Sequence, residues 1–113
     1  MASSRVVGKL LRIFIDEGDR FEGRPLYMAL VDALKAAGFP GATVLKGIEG
    51  FGSGGSVHAA RSFDALTDLP IVIEVIEEEA KVLGFVPTLE SMISEGLITL
   101  ENVQLVRLSG GVE

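Results

Sequence analysis

Gly50-Phe51-Gly52-Ser53-Gly54-Gly55-Ser56 is the stretch on which the fold turns. Its first six residues satisfy G-x-G-x-x-G after a strand-like segment, and Glu74 lies 19 residues beyond Gly55, so a dinucleotide-binding crossover is the first reading to weigh. That reading fails on length. Only 13 residues separate Gly55 from Leu69, where the next strand-like run begins, and they hold no long amphipathic helix. A nucleotide-binding βαβ unit takes about 30 residues including its crossover helix. The glycines are therefore expected to join two strands directly, as a mobile loop over about residues 50–63.

Working outward, Thr43 to Ile48 reads as the strand before this loop and Leu69 to Ile76 as the strand after it. Upstream, Gly8 to Asp16 alternates Leu11, Ile13 and Ile15 with Leu10, Arg12 and Phe14, which is strand periodicity. Beyond the polar run Glu17-Gly18-Asp19-Arg20, the segment Pro25 to Ala37 puts Leu26, Leu30, Ala33, Leu34 and Ala37 on one helical face. Pro25 suits the first turn, Gly38 suits the position after the last helical residue, and Pro40 forbids continuation. Downstream, Glu77 to Glu95 carries Val82, Phe85, Val86, Leu89 and Ile93 as a second helix, with a kink or break expected near Pro87 and a cap at Gly96. Val103 to Leu108 reads as the last strand, and residues 1–7 and 109–113 as flexible tails.

The order strand, helix, strand, strand, helix, strand is the split-βαβ pattern: an α+β, ferredoxin-like βαββαβ domain with a four-stranded antiparallel sheet and two helices on one face. The other face is then uncovered. Its expected side chains are Leu10, Arg12 and Phe14, then Val44, Lys46 and Ile48, then Val72, Glu74 and Ile76, each set mostly apolar around one charge. In the usual strand order of such sheets, Arg12, Glu74 and Lys46 become cross-strand neighbours able to pair. A solvated face would be mainly polar, so this one is expected to be buried by other copies of the chain.

Composition narrows the chemistry. The 113 residues suit a single domain, and with no cysteine there is neither a disulfide framework nor a thiolate metal site nor a thiol nucleophile. Ten basic against 16 acidic side chains give a formal charge of −6, which repels phosphate backbones and argues against nucleic acid. No apolar run approaches the roughly 20 residues of a membrane span, and MASSRVVGK lacks a signal-peptide core, so no membrane insertion and a cytoplasmic location are expected.

Four segments together resemble an uncharacterised prokaryotic branch of the PII-like signalling proteins. They are Gly8-Lys9-Leu10-Leu11-Arg12-Ile13, Gly23-Arg24-Pro25-Leu26-Tyr27, Gly41 to Gly47 followed by Gly50-Phe51-Gly52, and Asp68-Leu69-Pro70-Ile71-Val72-Ile73-Glu74. The resemblance runs from about Gly8 to Leu108. It implies a homotrimer whose sheets face inward, with effectors, commonly adenine nucleotides, bound in clefts between subunits beside a flexible T-loop. The chain departs from full PII proteins between the second helix and the last strand. There Ser94-Glu95-Gly96-Leu97-Ile98-Thr99-Leu100-Glu101 stands in place of a glycine-and-lysine phosphate-binding B-loop. The only tyrosine, Tyr27, lies outside the glycine loop, so no uridylylation site is recognisable there.

Chemistry at the loop follows from residue types. Successive glycine N–H groups form anion-binding nests, here Gly50, Gly52, Gly54 and Gly55, with the hydroxyls of Ser53 and Ser56 and the cations of Lys46 and Arg61 nearby. Phe51 offers aromatic packing, Gly47 counts with these residues as a ligand-binding candidate, and His58 could hydrogen-bond a ligand. The acidic set Asp16, Glu17, Asp19 and Glu22 misses the EF-hand spacing and reads as a solvated turn, and no metal site is assigned. Glu77, Glu78 and Glu79 read as acids favoured at a helix start.

The function expected is regulatory. An oligomer binds a small anionic effector, the loop changes order, and a partner protein, with a membrane transporter or channel as one candidate, reads the loop. The resemblance implies an adenine nucleotide as the effector, and no cofactor is expected to be required. The alternative is a small metal-responsive or structural oligomer, since related ferredoxin-like trimers include proteins linked to divalent-metal tolerance. An enzyme acting on a nucleotide or metabolite ranks below both, because scattered carboxylates and one histidine supply no catalytic set.

Overall fold

The computed structural model describes residues 3–51, 57–59 and 68–108. In chain order its elements are β1 (Ser3–Asp16), β2 (Arg20–Phe21), β3 (Arg24–Pro25), α1 (Leu26–Ala36), β4 (Thr43–Lys46), β5 (Glu49–Phe51), β6 (Val57–Ala59), β7 (Pro70–Glu78), α2 (Glu79–Met92) and β8 (Leu97–Leu108). The main sheet has the order β4-β7-β1-β8 and every pairing in it is antiparallel. This is the α+β, ferredoxin-like βαββαβ arrangement, with both helices on one face.

Alternation decides which side chains meet the helices. Leu11, Ile13 and Ile15 of β1 and Ile71, Ile73 and Val75 of β7 are buried, with Leu11, Ile13 and Ile73 wholly inaccessible. They form one apolar cluster with Leu26, Leu30 and Leu34 of α1 and Val82, Phe85 and Leu89 of α2. Burying such side chains contributes about 1.5–3 kcal/mol each, which is what holds the helices on this face.

Helix α1 starts where Pro25, at φ −57° and ψ 130°, holds the N-cap position in an extended conformation. It ends in a complete Schellman motif: Gly38 N–H bonds to Lys35 O and Phe39 N–H to Leu34 O, both at 3.1 Å, with Gly38 at φ +87°. Lys81 Nζ of α2 donates to Gly38 O at 2.6 Å and stands 5.3 Å from the Phe39 ring centroid, so it ties the end of α1 to α2. Phe39 also meets Phe85 edge-on at 5.4 Å. Gly38→Ala places a Cβ in the left-handed region and is expected to lower unfolding stability by about 1–2 kcal/mol. Denaturant titration with an unchanged slope checks this, and a loss near zero would contradict it.

Several expectations change. The start of the chain is paired strand from Ser3 onward, because β8 spans Leu97–Leu108 and its second half runs antiparallel to Ser3–Gly8; residues 109–113 lie outside the described residues. Helix α2 passes through Pro87 without ending. Leu83 and Pro87 both lie on the exposed side, where water can replace the missing N–H bond. The helix stops at Met92 with Ile93 as an extended C-cap, so Gly96 is not its cap. Glu77 and Glu78 belong to β7 rather than to the helix, and Glu77 is a buried carboxylate paired with Arg107 and, at 3.9 Å, with Lys81. The polar run after β1 contains a small hairpin, β2 with β3, turning at Glu22 and Gly23 with positive φ at both.

The uncovered sheet face carries Leu10, Arg12, Phe14, Val72, Glu74 and Ile76 as expected, but not the β4 residues expected. Val44 pairs with Ile73 and Lys46 with Ile71, so both share the helix-side parity, and Thr43 and Leu45, opposite Glu74 and Val72, take the open face. Ile48 lies beyond the end of β4. Lys46 therefore does not neighbour Glu74. The charge at the centre is instead a three-strand set: Arg12 Nε meets Glu74 Oε2 at 2.8 Å and Arg12 Nη1 meets Glu101 Oε1 of β8 at 3.1 Å. The hydrogen bond to Glu74, joined by the Coulombic attraction of Glu74 and Glu101, raises the Arg12 pKa above its ordinary value. Arg12 thus stays cationic at every working pH.

Candidate functional site

Three strands bring their ends together at the base of the glycine-rich connection. β1 ends at Asp16, which pairs with Pro70 at the start of β7, and β4 ends at Lys46, which pairs with Ile71. Two backbone bonds grip successive carbonyls of the β7 start: Glu17 N–H donates to Leu69 O at 2.8 Å and Gly47 N–H to Pro70 O at 2.7 Å. Gly18 N–H donates to Asp68 Oδ1 at 3.1 Å. The connection thus leaves and re-enters the sheet at one joint.

Close packing explains the glycines at this joint. A Cβ on Gly47 would stand 2.7 Å from Pro70 Cγ, and one on Gly50 3.0 Å from the same atom. Neither position has room for a side chain without moving the Pro70 ring. The glycines therefore fit against a proline surface here, in addition to any freedom they lend the loop.

Side chains complete the joint. Lys46 Nζ lies 2.8 Å from Glu17 Oε2, with Lys46 half-exposed and Glu17 only 22% exposed. The other carboxylate oxygen, Glu17 Oε1, is buried and has no hydrogen-bond partner among the described residues. A buried acceptor left unmatched is costly, more so when it carries charge. Arranged this way, the joint offers a half-exposed lysine cation, already holding one carboxylate, as the group able to meet an anion.

Of the residues expected to bind ligand, Lys46 and Gly47 stand in this joint, and Gly50 and Phe51 lie on β5 just beyond it. Phe51 is largely exposed. His58 pairs with Gly50 across the β5–β6 ladder, so that part of the connection is regular antiparallel structure. Gly52, Ser53, Gly54, Gly55, Ser56 and Arg61 lie outside the described residues. Sequence reading misses Glu17 and Pro70. It groups Glu17 with the acidic turn, where Asp19 instead accepts the Asp16 N–H at 3.0 Å and closes its own turn. Among the described residues no group of three His, Cys, Asp or Glu could hold a metal ion. No described helix is long and apolar enough to cross a membrane.

A sheet in the order β4-β7-β1-β8 with two helices on one face is a fold that this chain shares with solved PII-like proteins. The chain is similar over 90% of its length to CPII, a nitrogen regulatory PII-like protein from Thiomonas intermedia K12, in a structure bound to ADP, AMP and bicarbonate. That match covers 91% of the CPII chain, with a TM-score of 0.60 and 23% identity. It is also similar to a PII-like signaling protein from Thermus thermophilus, over 94% of each chain, with a TM-score of 0.62 and 22% identity.

The chain belongs to the DUF190 family (uncharacterized ACR), whose model matches residues 8–105. It is 40% identical over 100 residues to a UPF0166 protein of Aquifex aeolicus (strain VF5), covering 88% of this chain and 94% of that relative. To a UPF0166 protein of Methanocaldococcus jannaschii it is 35% identical over 106 residues, covering 90% and 94%.

Proposed function

We propose that this chain is a regulatory module and not an enzyme. It works as one domain in a cytoplasmic homotrimer that takes a small anionic effector, an adenine nucleotide, at clefts between subunits. The observation that carries the reading is the likeness of the whole fold to CPII, whose structure holds ADP, AMP and bicarbonate. Two features of this chain support it. The open sheet face is apolar around Arg12, Glu74 and Glu101, and a groove of about 650 Å³ lined by residues including Ile76, Val103 and Leu105 continues along β8, as suits burial by other copies. The joint at Lys46, Gly47 and Gly50 supplies a half-exposed cation for an anion, next to the glycine-rich connection.

In this reading Lys46, beside Gly47, meets the effector's anionic group together with the Gly50 backbone, and Phe51 meets its flat part. Gly52 to Gly55, Ser53, Ser56, His58 and Arg61 add contacts from the rest of the loop. Binding changes the order of the loop, and a partner protein reads the change. The test is a thermal-shift series with ADP, AMP, ATP, bicarbonate and divalent metals, beside light scattering. ADP at about 100 times its Kd adds about 2.7 kcal/mol by linkage, a rise of several degrees in Tm, and should be recovered unhydrolysed. A rise with metals alone would favour the metal-responsive alternative, turnover of ADP would favour an enzyme, and a flat series would sink the effector.

A further inference from the structure

Lys46 and Glu17 come from strands that are not neighbours, since β7 lies between β4 and β1. Their ion pair, at 2.8 Å, therefore reaches across the start of β7, directly over the two carbonyls that hold the Glu17 and Gly47 amides. It ties Lys46, where the glycine-rich connection leaves the sheet, to Glu17, whose amide holds Leu69 O where the connection re-enters. The tie is also strained in a specific way: to present Oε2 to Lys46, Glu17 leaves Oε1 buried without a hydrogen-bond donor among the described residues. Lys46, by contrast, is half-exposed and open to an incoming anion.

We infer that Glu17 is a built-in competitor for Lys46, a positioning residue that an anionic effector displaces, so that occupancy of the site is coupled to release of the β4–β5 junction. This deepens the proposed function and rests on it for the identity of the effector. The physics is exchange of one anion for another on a single ammonium. Bound carboxylate holds Gly47 on Pro70 and the connection in one setting; bound effector takes the charge, and Glu17 is freed to turn its orphaned oxygen to water. Because the pair is partly solvated, its strength is modest, which a latch opened by a small molecule requires.

Two substitutions with opposite signatures test this. Glu17→Gln removes the competitor, so ADP, measured by titration calorimetry, should bind about threefold tighter. Lys46→Gln removes the ammonium itself, so ADP should bind about tenfold weaker. In hydrogen exchange without ligand, both should speed exchange of the Gly47 amide, because each opens the latch. A purely structural pair would move affinity in one direction for both variants. Unchanged exchange at Gly47 in both variants, or Glu17→Gln binding ADP no tighter than wild type, overturns the latch. If ADP binds wild type not at all, the effector assignment fails by itself. The latch is then decided by inorganic pyrophosphate, which should speed Gly47 exchange in wild type and leave it unchanged in Lys46→Gln; no effect in wild type overturns it.

Discussion

Ile76→Glu should turn the proposed trimer into monomers while leaving each monomer folded. Ile76 is 51% exposed on the open sheet face, which also carries Leu45 at 48% and Phe14 at 36%, and it pairs across β1 with Leu10, whose other partner is Glu101. A glutamate there would add a carboxylate to a face that already holds Glu74 and Glu101 around Arg12, while Arg107 of the groove that Ile76 lines is engaged by Glu77. In the monomer the new charge faces water and costs little. In an assembly it must be desolvated without a partner, at about 3–5 kcal/mol per copy, enough to weaken association more than a hundredfold. Light scattering should show the mass falling to that of one chain, with the unfolding transition retained. ADP binding should fall with it, since the proposed site lies in clefts between subunits. Equal masses for wild type and the variant would remove the assembly from the account.

Much of this arrangement was readable because two strands alternate strictly. From Leu11 to Ile15 in β1 and from Ile71 to Val75 in β7 the odd-numbered residues are the buried ones, and period two assigns Arg12 and Glu74 to the same face, where they do pair. The end of α1 was equally plain, since Gly38 sits where a left-handed residue closes a helix. The error at β4 has a physical origin. Its four residues are all exposed, so burial imposes no pattern on them, and parity is set by register instead. Thr43 falls opposite Glu74, which sends Lys46 to the helix-side parity, and one position of slip would have sent it to the other.

The Glu17–Lys46 tie was not readable for a different reason. The two residues stand 29 positions apart on strands that never pair, so no local spacing connects them. What could have suggested it is topology. In a split-βαβ sheet the end of the first strand, the end of the second and the start of the third lie at one edge, and charged residues flanking all three ends become neighbours. The first half of β8 escaped notice because Leu97 to Asn102 forms an outer strand with no buried residue to mark its period.

Ile73→Ala should have the largest effect on stability of any single change considered, and comparison with Ile76→Ala shows why position on the pleat matters more than residue type. Both are isoleucines of β7. Ile73 is wholly inaccessible, flanked by Ile13 of β1 and Val44 of β4, under the apolar side chains of both helices. Truncating it removes buried methyl and methylene groups and leaves a cavity that sheet and helices, anchored by hydrogen bonding, can close only in part. The expected loss is about 2–5 kcal/mol, or a fall in Tm of about 10–25 °C for a domain near this size. Ile76→Ala touches none of that cluster, so its effect on the monomer should stay within about 0.5 kcal/mol, with the cost appearing in association instead. Denaturant unfolding of each variant at dilutions where light scattering shows only monomer separates the two terms. If Ile73→Ala and Ile76→Ala then destabilise the monomer equally, the sheet has no inner and outer face, and the apolar open surface loses its meaning as an interface.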